Sequence, residues 1–307
     1  MAKRKSSLIF FYSLYKKYHD NKWDKIALLF IAPYVIFCAV FFIYPMFMAI
    51  AGSVARWDLV TNKFTSFIGL RNYIALFKDM NFLLSVRNSF IYFFVQIPTS
   101  IVGGMILASL LNERFAGRIF FRGLFFLPVI TGSVILAIVW KWIFQTNGGV
   151  LNYLVSLIGI NQIGWLTDQK LSMLSISLMK AWMDIGYYSI IFLGAYQAIS
   201  SELIEAALID GANAVQTFFR VKLPLLNPTV IFSIMMATIW AFQIFNEPYI
   251  MTEGGPMGSS STMTLYLYRQ GFIRHQLSYA SAIGVFVGVL IMLISIIERK
   301  IFERNIY

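Results

Sequence analysis

Lys180 and Asp184 stand four residues apart inside an otherwise apolar run, Leu171 to Ile199, where an isolated charge needs compensation. A lysine or aspartate at the centre of a bilayer-spanning helix costs about 2.5 to 3.5 kcal/mol on insertion scales. At this spacing the two share a helical face and can neutralise each other. The same face can equally line a water-filled cavity, with Tyr187 one turn beyond Asp184. A second polar group, Gln243, Asn246 and Glu247, lies in the apolar run Thr229 to Met251 among Trp240, Phe242 and Phe245. Gln243 and Asn246, three residues apart, are expected to form one polar face opposite Asp184 and Tyr187. Amides and carboxylates beside aromatic rings suit a sugar pocket, with paired hydrogen bonds for hydroxyls and flat apolar faces for the ring. The alternative is hydrogen bonding between helices, worth about 0.6 kcal/mol on average in membranes.

No catalytic chemistry accompanies these residues. The chain has no G-x-x-x-x-G-K-[ST] phosphate loop, so it is not expected to hydrolyse ATP itself. His19 and His275 are isolated from each other, which removes an obvious metal centre. No Ser/His/Asp or Cys/His set is evident, and Cys38 is the single cysteine, so no internal disulfide can form.

The elements that must position the polar groups are membrane spans. Of 307 residues, 59% are hydrophobic and 13% charged, and the mean hydropathy is +0.71, too apolar for a soluble domain of this size. A bilayer core of about 30 Å needs about 20 helical residues. Six apolar stretches meet that length: Ile26 to Ile50, Val86 to Leu111, Gly123 to Phe144, Leu171 to Ile199, Thr229 to Met251 and Tyr279 to Ile297. With both termini inside, fifteen lysines and arginines are cytoplasmic, among them Lys3, Arg4, Lys5, Arg118, Arg122, Arg220, Lys222 and Lys300, against seven in the outer loops. That bias fixes the expected orientation. It also accounts for the net charge of +11 through topology and anionic lipid, with no nucleic-acid site. The first run contains Pro33 and Pro45 without a small-residue cleavage pattern, so it reads as a retained span. Residues 1–25 form a basic cytoplasmic segment, in which Leu8 to Trp23 suits a helix on the membrane interface. Residues 26–302 are the permease-like core, and 303–307 a cytoplasmic tail.

Within the core, Pro98 and Gly103-Gly104, then Pro128, Gly132 and Ser133, imply kinks and close helix approaches, and hence interior rather than lipid-facing spans. Trp140, Lys141 and Trp142 suit an interfacial anchor. Arg71-Asn72-Tyr73 with Leu76-Phe77 suits a short outer helix, either a cap or a partner contact. Between the fourth and fifth runs lies EAALIDGANAVQTFFRVKLP, Glu205 to Pro224, within a polar loop 200–228. Ser201 can cap a helix here, Gly211 can adopt a left-handed turn and Pro224 suits a first helical turn. Ala206, Ala207, Gly211 and Ala212 are small enough to let the knuckle enter a groove on another protein. A plain connector would be shorter.

The spacing Glu205-Ala206-Ala207, three residues, Gly211, nine residues, Val221, one residue, Leu223-Pro224 resembles the EAA loop of membrane subunits in binding-protein-dependent ABC importers. Val221 stands where isoleucine is usual. Thr252-Glu253-Gly254-Gly255-Pro256 resembles the T-x-G-G-P turn after the fifth span in sugar importers, of the maltose-transporter type. The resemblance implies an all-α membrane protein of the ABC type I importer permease fold, with six transmembrane helices, and alternating access in a bacterial cell membrane. It implies Glu205, Ala206, Ala207, Gly211, Leu223 and Pro224 as ATPase-coupling residues. By alignment it places Lys180, Met183, Asp184, Tyr187, Phe242, Gln243 and Asn246 at substrate contacts. The implied partners are a second permease in a heterodimer, two cytoplasmic ATPases that use ATP and Mg, an extracytoplasmic solute-binding protein, a sugar and membrane lipid. No cofactor is expected on this chain. An ion-gradient-driven secondary transporter or channel subunit is the competing reading, although the chain has no convincing repeat.

Overall fold

The computed structural model describes residues 21–58, 63–113 and 115–303. Most of the expected interfacial helix from Leu8 to Trp23 lies outside them, as do His19, Arg114, Arg304 and the amino-terminal basic residues. Helix α1 (Asn21–Cys38) passes through a π-turn, Ala39–Ile43, directly into α2 (Tyr44–Val54). A two-stranded antiparallel ribbon, β1 (Ala55–Asp58) and β2 (Lys63–Phe67), follows. After it come α3 (Arg71–Leu76) and the 33-residue α4 (Met80–Asn112). Then α5 (Arg118–Ile130), α6 (Ser133–Ile143), α7 (Val150–Ser156) and α8 (Ser172–Gln197) lead to the loop 200–228. The carboxy-terminal half comprises α9 (Ser201–Ile209), α10 (Ala214–Thr217), α11 (Leu223–Phe242), α12 (Asn246–Thr252), α13 (Met263–Tyr268) and α14 (Leu277–Glu303).

Four continuous helices, Ala27–Val54, Met80–Asn112, Ala214–Phe242 and Leu277–Phe302, are long and apolar enough to cross a membrane alone. Two further pairs pass only together, α5 with α6 bent by 100° and α8 with α9 bent by 75°. Six spans therefore hold only with bent pairs counted. Gly123 to Phe144 is not one straight helix: Thr131 is extended and Gly132 starts a new direction. The expectation that this run is interior also fails in the single chain. Of α5 only Pro128 is buried, while Ile119 and Ile130 are 85% and 83% exposed.

Small residues do set the helix spacing. A Cβ on Gly104 would stand 2.7 Å from the Cβ of Tyr188, and one on Gly103 2.8 Å from Ile185. On α8 itself, Gly186 lies under the Phe125 carbonyl, where a Cβ would fall at 2.3 Å. α4 and α8 thus pack backbone to backbone, burying Tyr92, Ile101, Tyr188 and Phe192 between them.

The expected fifth span, Thr229 to Met251, is broken. Pro248 has no N–H for the carbonyl of Ile244, and its ring would collide with that carbonyl in a continuous helix. Here, unlike at Pro98 in α4 or Pro228 in α11, the helix does not continue: α11 stops at Phe242, and α12 restarts at Asn246. The carbonyls released by the break are recaptured: Thr262 Oγ1 donates to Ile244 O at 3.0 Å and Thr264 Oγ1 to Phe242 O at 3.1 Å.

Among the described residues the ribbon is the one departure from all-helical secondary structure, and with α3 it caps one end of the bundle. Asn72 Nδ2 donates to the carbonyls of Ser53 and Ser278 at 2.9 and 3.2 Å, and Tyr73 Oη to Ser53 Oγ at 2.8 Å. Of the two readings for this short helix, these internal bonds favour the cap. Asp79 is the cap's hub. It accepts from the N–H groups of Asn81 and Phe82 at the start of α4, and from Tyr266 and Tyr279 at 2.5 and 2.8 Å. Burial works to raise this carboxyl, but its four donors outweigh burial and hold it below the usual carboxylate range. Tyr266, partly buried against the carboxylate, is pushed up to about 12. A lowered native pKa means that Asp79 stabilises the fold above its unfolded value near 3.9 and stops doing so as pH falls through the native value. Asp79→Asn keeps an N-cap but loses the charge to which Tyr266 and Tyr279 donate, and is expected to lower the melting temperature in detergent at pH 7 by the equivalent of about 1 kcal/mol, the difference between a charged and a neutral acceptor. The gap from wild type should close below about pH 4; a constant gap down to pH 3 would contradict the assignment.

Candidate functional site

A pocket of about 270 Å³ opens where α11 breaks. Its walls come from α4 (Tyr92, Gln96), the first residue of α6 (Ser133), α8 (Lys180, Asp184, Tyr188), the end of α11 (Trp240) and the break with the start of α12 (Gln243, Phe245, Asn246, Glu247). Lys180 Nζ donates to Asp184 Oδ1 at 2.5 Å, and Gln96 Nε2 donates to Asp184 Oδ2 at 2.7 Å. Both charged side chains remain about one-fifth accessible, at 21% and 19%. The two readings of this pair therefore coexist: it is an ion pair, and it lines a cavity.

Four of the seven expected contacts, Lys180, Asp184, Gln243 and Asn246, meet at this pocket. Gln243 and Asn246 do so for a different reason from the one expected. They flank a helix break and are not neighbours on a helical face; both are exposed to the cavity, and Asn246 Nδ2 donates to Ser133 Oγ at 3.2 Å. The other three are not among the lining residues of this pocket. Met183 is buried in a cluster with Ala137, Ile176, Met179 and Met251. Phe242 is wholly buried, stacked on Phe93 at 5.2 Å and edge-on to Phe90. Tyr187 is half-buried, its ring packed edge-on to the pocket residue Trp240 at 5.3 Å. For Met183 and Phe242 tight apolar packing claims the side chain.

Gln96, Tyr92 and Ser133 were not anticipated as lining residues, and Glu247 was not singled out as one. Glu247 is only 3% exposed, yet it faces the cavity close enough to feel the charges of Lys180 and Asp184. Pro248 was the available signal, because it places the break, and with it Glu247, at the cavity wall.

At the other end of α8 the chain turns into α9. Ser200, one residue earlier than expected, is the cap, accepting from the Glu202 N–H at 3.3 Å. Gly211 has φ +81°, the left-handed turn anticipated for it. Asn213 and Gln216 then cap each other's backbone at 2.9 Å and start α10. Glu205 and Ala206 are exposed, Ala207 is half-buried, and no residue of α9 is buried. Leu223 instead packs on this chain's own core, while Pro224 is exposed in the first turn of α11.

Residues 100–306 match the family described as binding-protein-dependent transport system inner membrane component. The chain belongs to this family. It is 34% identical over 290 residues to the probable ABC transporter permease protein YurN of Bacillus subtilis, covering 93% of this chain and 98% of that one. It is 33% identical to the lactose transport system permease protein LacF of Rhizobium radiobacter, covering 92% and 94%. Among solved structures, a bacterial ABC transporter that imports the acidic polysaccharide alginate superposes with a TM-score of 0.82 at 22% identity, over 94% of this chain and 99% of that one. That likeness shows the fold, which is the ABC importer permease fold. The protein is thus a multi-pass membrane transport subunit, not an enzyme.

Removing Asp184 alone would strand the Lys180 charge in the membrane. Asp184→Ala is expected to cost roughly 1 to 3 kcal/mol of stability, below the range for fully buried pairs because both groups keep some solvent. The double replacement Lys180→Met with Asp184→Leu should recover most of that loss. Thermal unfolding of the three variants in detergent measures this, and additive losses would mean that the pair is not coupled.

Proposed function

We propose that this chain forms one half of the translocation path of an ATP-driven importer for a neutral sugar or oligosaccharide. The observation that carries the substrate class is the closed pairing of Lys180 with Asp184 at 2.5 Å, beside the further carboxylate of Glu247. Two acids and one cation line the pocket, and the cation is already satisfied. An acidic saccharide would bring its charge against carboxylates with no free partner, whereas hydroxyls can both donate to these oxygens and accept from Gln243, Asn246 and Gln96. Trp240 and Phe245 offer apolar faces for the ring. Relatives named for lactose and multiple-sugar transport support the sugar reading.

At about 270 Å³ the pocket is at the lower end for a ligand site, in keeping with half a path completed by a second permease. The exposed apolar faces of α5 and α6 beside Ser133 suit that partner. The accessible α9 knuckle, with Glu205, Ala206, Ala207 and Gly211, is where a cytoplasmic ATPase would dock. A solute-binding protein would deliver sugar at the opposite face, and alternating access follows ATP binding and hydrolysis in the ATPases. Both termini then lie in the cytoplasm of a bacterial inner membrane. No observation favours an ion-gradient-driven transporter.

Reconstituted with its partners, uptake should require ATP and persist when ion gradients are collapsed; gradient-driven uptake by this chain alone would overturn the reading. Asn246→Ala leaves substrate hydroxyls unpaired and should lower uptake about five- to a hundred-fold, since an unsatisfied buried partner costs roughly 1 to 3 kcal/mol. ATPase capture should be unchanged in that variant. Gly211→Val, by contrast, forces a β-branched residue into a positive-φ turn and should abolish ATPase capture while the protein stays in the membrane. Normal capture and normal transport by Gly211→Val would remove the coupling role.

A further inference from the structure

A second cavity, of about 470 Å³, lies between the first turns of α4, the start of α8 and the 257–259 turn. Its floor is apolar: Leu84, Ile91, Met173 and Leu174. Its rim carries two cations, Arg87 and Lys170, both exposed and neither in an ion pair among the described residues. The nearby carboxylate of Asp168 is engaged elsewhere, accepting from the backbone N–H groups of Lys170 and Leu171 at 2.7 and 3.3 Å. The third wall is held in place, since Asn88 Nδ2 donates to the carbonyls of Gly258 and Ser261 at 2.7 and 2.9 Å.

Below the cavity the surface is set by helical geometry. Phe94, Pro98 and Val102 lie seven, eleven and fifteen residues after Arg87, one above the next on the same face of α4, and all three are exposed. At 1.5 Å per residue this stripe runs about 10 to 22 Å from the Arg87 level, the depth of an acyl chain. On α8, exposed Leu178 continues the line one turn beyond Leu174. Two unpaired cations over an apolar groove that leads down a lipid-facing stripe match one chemistry: a phosphodiester headgroup with its acyl tails attached.

We propose that this groove binds an anionic phospholipid, with the phosphate between Arg87 and Lys170 and a chain lying along Phe94, Pro98 and Val102. The assignment to the outer leaflet rests on the orientation proposed above, in which α9 is cytoplasmic; the site itself does not. It is distinct from the sugar pocket, because none of its lining residues is shared with that cavity.

The test places the full-length chain in nanodiscs of equimolar phosphatidylglycerol and phosphatidylethanolamine and counts lipids retained after gentle extraction by native mass spectrometry. Wild type should keep one phosphatidylglycerol, and R87Q/K170Q should keep on the order of tenfold less. The charge-conserving R87K/K170R should retain it, which separates loss of charge from loss of fold. R56Q, which removes a cation elsewhere, should behave as wild type. Inorganic phosphate at millimolar concentration should not displace the lipid; displacement would mean a free-anion site and overturn the lipid assignment. Equal retention by R87Q/K170Q and wild type would overturn it as well. So would disappearance of the lipid when the chain is purified with its partner permease, which would mark the groove as a subunit contact. Failure here leaves ATP-driven uptake untouched, so the two readings fail separately.

Discussion

A polar group inside a bilayer has to find its partner within the protein, because hydrocarbon supplies none. Most of the arrangement around the pocket follows from that constraint. The fifth span breaks at 243–245, just ahead of Pro248, so carbonyls at Phe242 and Ile244 are freed, and the hydroxyls of Thr264 and Thr262 come from the next segment to take them. Once the helix is broken, Gln243 and Asn246 are released from their helical registers, and Glu247 is turned to the same cavity. The charged pair on α8 obeys the same rule with three members, Gln96 completing what Lys180 begins. The pocket is thus the place where the fold collects polar groups that would otherwise be stranded.

How much of this was legible beforehand depended on whether a signal was local. Lys180 and Asp184 were readable because i,i+4 spacing brings them together in any helix, whatever surrounds it. Gly211 was readable because a left-handed turn narrows the choice of residue. Gln96 was hidden because its partner lies 88 residues away on another helix, joined only through the α4–α8 contact. Met183 and Phe242 failed for the complementary reason: alignment to a motif fixes a position along the helix, while the direction of the side chain is decided by which neighbour fills the space. The 100° bend at Thr131 was anticipated only as a kink, since proline and glycine mark where a helix can turn without stating how far.

The electrostatics of the pocket differ in kind from those of the outer groove. In the pocket every cation is spoken for, so selectivity there rests on hydrogen-bond geometry, which favours hydroxyls. In the proposed lipid groove Arg87 and Lys170 have no ion-pair partner among the described residues, so charge would decide what binds there. On the two proposals, one helix, α4, would carry sites for different chemistries about 13 Å apart along its axis, from Arg87 to Gln96.

On the proposed reading, the geometry also says how an ATPase could reach the pocket. α8 carries Lys180 and Asp184 and ends at Gln197, about 20 Å further along its axis, just before the α9 knuckle. The chain returns through Ala214–Phe242, continuous across a π-turn, and ends at the break that presents Gln243. Both ends of the knuckle are thus attached by unbroken helices to opposite walls of one cavity. Short turns, residues 198–200 and 210–213, join α9 to these helices, and a displacement of α9 that the turns do not absorb tilts α8, α11 or both. Along α8 the close contacts at Gly103 and Gly104 leave little room to slide against α4. The compliant element is then the 243–245 break, whose carbonyls are held by two threonine hydroxyls that can let go one at a time. Movement at the cytoplasmic end would be converted there into a change in the distance between the amide wall and the Lys180–Asp184 wall.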